Sequence, residues 1–171
     1  TNLLVMGPWR HGQWARDDGS HLGYIQFDAK PSKDYAKQIE TPFFAYYLKG
    51  KGDGKFPKAQ VFETGRNQWR QFASWPPEGA AEKSLYFLAN GKLGWEAPTA
   101  AAGSDEYPSD PAKPVPATAD IAIGMTREHM VDDQRFAASR PDVLVYPTDV
   151  LEEDVTLAGP GLNSLFVSTT G

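Results

Sequence analysis

Residues 3–12 read Leu-Leu-Val-Met-Gly-Pro-Trp-Arg-His-Gly. The first four of these residues form a short, wholly apolar run, which predicts a strand buried on both faces of a parallel sheet. Pro8 cannot continue a central strand, so the predicted strand ends before it. His11 then follows the carboxyl end of the strand, where open α/β sheets hold their catalytic groups. We predict that His11 is a catalytic histidine.

The chain holds no recognisable nucleophile for this histidine. It has no cysteine, and none of its serines lies in a Gly-x-Ser-x-Gly turn between a strand and a helix. In chain order an α/β-hydrolase carries its serine first, then its acid and then its histidine. A segment that starts at the histidine strand would therefore hold only the last of the three. We expect the chain to be the C-terminal part of a larger enzyme whose upstream catalytic domain supplies the rest.

Composition indicates part of a globular enzyme. With 171 residues, of which 40% are hydrophobic, the chain could bury one ordinary core. A net charge of −5 gives no electrostatic reason to expect nucleic acid, and no apolar run reaches the roughly 18 residues that would span a membrane. The absence of cysteine excludes disulfides and thiolate metal sites, and we expect no metal and no cofactor. The compartment stays open, with a bacterial periplasmic or secreted location favoured over the cytoplasm.

A helix is predicted after a polar loop at residues 13–27. Ser32, after Pro31, can cap its first turn, and Gly50 can close its end. Pro42 lies within the pattern and should kink the helix or divide it, because proline lacks a backbone donor. Strand, histidine loop and helix together predict the last βα unit of an α/β-hydrolase domain. The apolar face of the helix consists of Tyr35, Ile39, Phe43, Tyr46 and Tyr47.

The sequence pattern changes after the glycine-rich stretch at residues 49–55. Short runs of β type alternate with turn residues there, including Asn90-Gly91, which is typical of a hairpin. We therefore divide the chain into residues 1–52, the end of the hydrolase domain, and residues 53–171, the start of an all-β jelly-roll-like sandwich that is incomplete. The predicted strands are residues 59–63, 68–72, 85–89, 92–95, 143–146, 155–157 and 165–168.

Several motifs resemble one family of enzymes. Residues 7–12 resemble the histidine motif of the X-prolyl dipeptidyl-peptidase-like serine hydrolases, the cocaine esterase family. Residues 42–50 look like the helix that follows that histidine, and residues 61–70 with Trp75-Pro76-Pro77 resemble the start of the C-terminal jelly roll. Three further stretches resemble the α-amino acid ester hydrolases and the glutaryl 7-aminocephalosporanic acid acylases. These stretches are residues 107–116, 133–136 and 140–144.

The resemblance implies a role for one residue above all. His11 would be the general base that takes the proton of an upstream serine and returns it to the leaving group, oriented by an upstream aspartate. Trp9 and Trp14 would wall the substrate pocket beside it. The implied substrates are small esters or amides, such as α-amino acid esters and the acyl side chains of β-lactams. Members of the family often form homo-oligomers, so we also expect self-association.

Other polar candidates have simpler interpretations. His21 and His129 lie among polar or charged residues, and we predict that both are solvated. The sequence Asp-Asp-Gly-Ser at residues 17–20 resembles part of a calcium loop, but it lacks the alternating oxygen ligands and closing glutamate, so a turn is expected. Adjacent carboxylates at residues 132–133 and 152–154 are also expected to be solvated.

A second functional class remains open for the β-rich part. A jelly roll with exposed aromatic residues can be a noncatalytic carbohydrate-binding or protein-binding module, for which His11 would be incidental. A sugar site needs aromatic rings exposed on one face, whereas an interdomain role needs them buried. The residues concerned are Trp69, Phe72, Trp75, Tyr86, Phe87 and Trp95.

Overall fold

The computed structural model describes residues 2–99, 103–124, 126 and 128–170. The elements in chain order begin with strand β1 (Leu4–Met6), a 3₁₀ turn (Gln13–Ala15) and a hairpin of β2 (His21–Leu22) and β3 (Ile25–Gln26). The helical region and the later strands follow: α1 (Pro31–Tyr35), a π-helical turn (Ala36–Glu40), α2 (Thr41–Lys49), β4 (Ala59–Glu63), β5 (Gln68–Phe72), β6 (Tyr86–Leu88), β7 (Lys92–Gly94) and α3 (Arg135–Ala138).

Proline and glycine set the limits of the helical region. Pro31 is the first residue of α1, where its missing N–H leaves no hydrogen bond unmade. Pro42 lies in the first turn of α2, directly after the π-helical turn that separates α2 from α1. The predicted division of the helix at Pro42 is not seen, because the backbone stays helical through residues 31–49, with the π-helical turn just before the proline. Gly50 ends α2 in the left-handed conformation, with a φ of 62°.

The largest sheet has the strand order β1-β4-β5. β1 pairs with β4 in parallel, with Leu4 opposite Ala59, and the helical region makes the crossover between them. β4 and β5 pair antiparallel with bounds that match those predicted. The parallel pairing of β1 is therefore as predicted, and strand, histidine loop, helix and strand form one βαβ unit.

The prediction that β1 is buried on both faces is wrong. Leu4 is 36% exposed and Met6 51%, because β1 is the edge strand of this sheet in the part of the chain that is described. β4, which has a neighbour on each side, is the buried strand, and Ala59 has no exposed surface. The sheet also continues past the predicted domain boundary after residue 52, because β4 and β5 belong to it.

The core lies between the β2–β3 hairpin and the three-stranded sheet. Leu22, Phe27 and Phe62 are buried together, and Trp69 and Val131 pack against them. The Phe27 and Phe62 rings meet edge to face with centroids 5.7 Å apart. This small core therefore ties β4 and β5 to the loop that follows His11.

The β-rich part of the chain is only partly formed. β6 and β7 make the predicted hairpin, with Asn90 and Gly91 at φ values of 63° and 67° in its turn. The strands predicted at residues 143–146, 155–157 and 165–168 do not form. Among the described residues β6 and β7 form a ladder only with each other, although the Leu93 N–H in β7 donates to the Pro147 carbonyl at 2.9 Å. The described residues contain no helix long and apolar enough to cross a membrane.

Candidate active site

His11 lies in a tight turn after β1. The chain bends beyond Met6, where the Trp9 N–H donates to the Gly7 carbonyl at 2.9 Å. Gly12 follows the histidine with a φ of 72°, a left-handed conformation that glycine adopts at little cost. The His11 side chain is exposed and has no hydrogen bond, ion pair or ring contact with any described residue. Its imidazole is therefore free to meet groups from outside this part of the chain.

The Gln13 side chain is buried against the turn and makes hydrogen bonds to it. Gln13 is 1% exposed. The Gln13 Oε1 accepts the Arg10 N–H at 3.2 Å, and the Nε2 donates to the His21 carbonyl at 2.7 Å and to Asp17 Oδ1 at 3.2 Å. Sequence reasoning missed this residue, because a glutamine in a polar loop carries no signal of burial.

Trp9 belongs to an aromatic cluster. Its ring lies 5.1 Å from Tyr35, 5.7 Å from Trp69 and 6.0 Å from Trp14, measured between centroids. A Cβ atom on Gly7 would lie 2.6 Å from the Trp9 ring, so this close approach needs glycine. The indole Nε1 is buried and has no hydrogen-bond partner among the described residues. Trp9 thus has the surroundings of a packing residue, and its predicted place in a substrate pocket stays a prediction.

Trp14 is placed differently from Trp9. Its side chain is 40% exposed and lines an open cleft of about 520 Å³ next to the 3₁₀ turn. The other cleft residues include Arg16, Asp17, Asp18 and Lys33. An exposed aromatic ring above a cleft is compatible with the predicted contact between Trp14 and substrate.

The Asp-Asp-Gly-Ser sequence forms a turn. Asp17 Oδ1 accepts the Gly19 N–H at 2.8 Å, and Asp18 Oδ1 accepts the Ser20 N–H at 3.1 Å. The Ser20 hydrogen bonds, with a smaller contribution from the Lys30 charge, hold the pKa of Asp18 below its usual value. Among the described residues no cluster of three or more His, Cys, Asp or Glu side chains could hold a metal ion.

The remaining polar candidates are two histidines and two groups of carboxylates. His21 is exposed as predicted, and its carbonyl serves the histidine turn through Gln13. His129 is half-buried with Nδ1 2.8 Å from the Thr126 carbonyl, so its predicted solvation is wrong. The Arg135 side chain donates a hydrogen bond to Asp133 and lowers the pKa of that carboxyl. The carboxylates at residues 152–154 are exposed, as predicted.

The six aromatic candidates fall into two sets: Trp69, Phe72 and Trp75 are half-buried, whereas Tyr86, Phe87 and Trp95 are more than a third exposed. Trp69 packs against Phe62 and Trp9 within the core, Phe72 packs against Trp75, and Phe87 packs against Tyr146.

Sequence reasoning also missed Val131, which lies far along the chain from the histidine loop. The Tyr24 hydroxyl donates to its carbonyl, and a Cβ atom on Gly23 would lie 2.6 Å from its side chain. The segment around Val131 therefore packs on the β2–β3 hairpin.

Comparison with known proteins gives consistent matches. No family model matches the sequence. Cocaine esterase from Rhodococcus sp. (strain MB1 Bresler) is 30% identical over 178 residues, which cover 98% of this chain and 30% of the esterase. An aminopeptidase from a marine sediment archaeon, Thaumarchaeota archaeon, is 42% identical with a TM-score of 0.78, over 88% of this chain and 25% of that chain.

A solved α-amino acid ester hydrolase is 38% identical with a TM-score of 0.81, over 92% of this chain and 27% of that chain. The chain thus spans between a quarter and a third of the length of these relatives. Nearly all of its own length is matched in each comparison, at identities of 30% or more. The chain belongs to the hydrolase family that includes cocaine esterase and α-amino acid ester hydrolase.

Proposed function

We propose that this chain is the C-terminal, histidine-bearing part of a serine hydrolase that cleaves esters or amides. The observation that carries the proposal is the placement of His11. Its imidazole is exposed and unpaired among the described residues, directly after the first strand of a βαβ unit. A histidine at this edge of a sheet can reach catalytic groups that lie on other strands of a larger sheet.

The proposed chemistry uses His11 as general base and then as general acid. His11 takes the hydroxyl proton of an upstream serine while the serine oxygen attacks the substrate carbonyl carbon. The C–O or C–N bond to the leaving group then breaks, and the leaving alcohol or amine receives that proton. An upstream carboxylate would hold the imidazole in its productive tautomer. In the second half-reaction His11 takes a proton from water as the water oxygen bonds to the acyl carbon. The bond between that carbon and the serine oxygen then breaks, His11 returns the proton to the serine oxygen, and the acid is released.

The names of the relatives support the proposed substrate class. One is named an α-amino acid ester hydrolase, one a cocaine esterase and one an aminopeptidase, so small acyl esters and amides are the shared chemistry. We infer α-amino acid esters as the first substrates to test, with β-lactam acyl side chains such as glutaryl 7-aminocephalosporanic acid second. Trp14 would contact the substrate, because its exposed ring comes three residues after His11, although His11 itself does not line the cleft beside Trp14.

Covalent labelling tests the proposal. The full-length gene product is treated with a fluorophosphonate probe, in parallel with His11→Ala and with His21→Ala as the matched control. We expect rapid labelling of the wild type and of His21→Ala, and labelling of His11→Ala slowed about 10²- to 10⁴-fold, the usual contribution of a general base. Equal labelling of all three proteins would remove His11 from catalysis. Hydrolysis of α-amino acid methyl esters and glutaryl amides then decides the substrate.

A further inference from the structure

The direction of the His11 side chain has to come from its backbone. No described residue holds the imidazole itself, so the conformation of the turn at residues 9–13 sets where the ring points. A catalytic group misplaced by about 1 Å can lose roughly 10²-fold in rate, so such a turn needs firm support. In the described part of the chain, Gln13 provides this support, as its hydrogen bonds show.

Gln13 makes two hydrogen bonds to Arg10, the residue before the histidine. Its backbone N–H donates to the Arg10 carbonyl at 3.1 Å, and its side-chain Oε1 accepts the Arg10 N–H at 3.2 Å. The peptide groups on each side of Arg10 are thus both bonded to Gln13, and the two residues between Arg10 and Gln13 form a closed turn. Those two residues are His11 and Gly12.

The same side chain ties this turn to the rest of the loop. Gln13 Nε2 donates to the His21 carbonyl at 2.7 Å, and so fixes the turn to the start of β2 next to the buried core. Nε2 also donates to Asp17 Oδ1 at 3.2 Å. A glutamine amide carries one acceptor oxygen and two donor hydrogens, and all of these functions are used here. Because Gln13 is 1% exposed, water cannot replace any of these bonds.

We propose that Gln13 is a positioning residue for the reaction, acting through the His11 turn. This inference rests on the proposed role of His11 as general base. A glutamine that served stability alone would not need to bond the residue directly before the histidine. Loss of the Gln13 amide leaves the Arg10 N–H and the His21 carbonyl without partners, and the turn is then free to take other conformations.

The test compares two buried glutamines in the full-length gene product. Gln13→Met keeps the length of the side chain and removes its hydrogen bonds, and Gln60→Met is the matched control because Gln60 is 5% exposed in β4. Active sites are counted by end-point fluorophosphonate labelling, and kcat and KM are measured with p-nitrophenyl acetate. We expect Gln13→Met to lower kcat per labelled site about 10- to 100-fold, with KM within about two-fold of wild type. Gln60→Met should keep kcat per labelled site.

A second variant tests the inference in case Gln13→Met does not fold. Asp17→Ala removes one of the three side-chain bonds of Gln13 at an exposed residue, together with the Gly19 hydrogen bond and the 3.8 Å ion pair with Arg10. We expect kcat per labelled site to fall by a few-fold. The inference is overturned if Gln13→Met and Asp17→Ala both keep the wild-type kcat per labelled site, whatever happens to their thermal stability. His11→Ala in the same assay separates the two proposals. If His11→Ala keeps the wild-type activity, the proposed function itself has failed. If His11→Ala is inactive but the Gln13 and Asp17 variants keep the wild-type kcat per labelled site, this inference alone has failed.

Discussion

Residues 7–27 and residues 143–168 differ in how their backbone groups find partners. In the first region a buried glutamine, two aspartate turns and a short hairpin bond the loop to itself, and aromatic rings pack beneath it. In the second region no strand forms, the Pro147 carbonyl accepts the Leu93 N–H of β7, and many of the apolar side chains are exposed. Examples are Leu157 at 89% and Phe166 at 104%. Local turn chemistry can complete a structure within one segment, whereas a strand needs another strand.

The largest expected effect tests the packing beneath the histidine loop. Phe62→Ala should lower the free energy of unfolding by about 3–5 kcal/mol, because the ring is 6% exposed and contacts both Phe27 and Trp69. Gln68→Ala is the control, an exposed change at the start of β5 that should cost less than about 0.5 kcal/mol. Chemical denaturation measures both. Equal costs would mean that this core does not hold the region together.

Amide hydrogen exchange of this chain tests the contrast between the two regions directly. We expect amides in β4 to exchange at least about 100-fold more slowly than those of residues 155–168, because β4 is bonded on both sides. Mass spectrometry of peptic fragments gives both rates in one experiment. Equally slow exchange in the two segments would mean that residues 155–168 do form strands. It would then support the sandwich that the sequence pattern predicts.

The smallest of these effects concerns the first bend of the loop. Gly7→Ala would place a Cβ atom 2.6 Å from the Trp9 ring, and we expect a cost of about 1–3 kcal/mol as the indole is displaced. Gly161 is the matched control, since a Cβ atom added there would meet nothing within 4 Å and its φ is not in the left-handed region. Thermal unfolding of Gly7→Ala and Gly161→Ala separates them. If Gly7→Ala unfolds at the wild-type temperature, the Trp9 packing described above is not rigid.

Local patterns in the sequence predicted much of the fold. The bounds of β4 and β5, the hairpin at Asn90-Gly91 and the end of the helix at Gly50 all follow from residues that act on their own neighbours. The burial of β1 and the later strands were predicted wrongly, because both depend on partners that the described residues do not provide.

The candidate site was predictable only in part. The apolar run that breaks at Gly7-Pro8 predicted that His11 follows a strand, and the structure puts it there. Gln13 and Val131 could not be found in the same way. Their importance comes from contacts with His21 and Tyr24, which arise only once the loop has folded onto the sheet and the distant segment has packed against it.

The most direct test of the central claim is the rate of ester hydrolysis by the full-length gene product with His11 replaced. We predict that His11→Ala lowers kcat/KM for p-nitrophenyl acetate about 10²- to 10⁴-fold while His21→Ala stays within about two-fold of wild type. Wild-type activity in His11→Ala would contradict the account, because the exposed imidazole after β1 would then have no part in the chemistry.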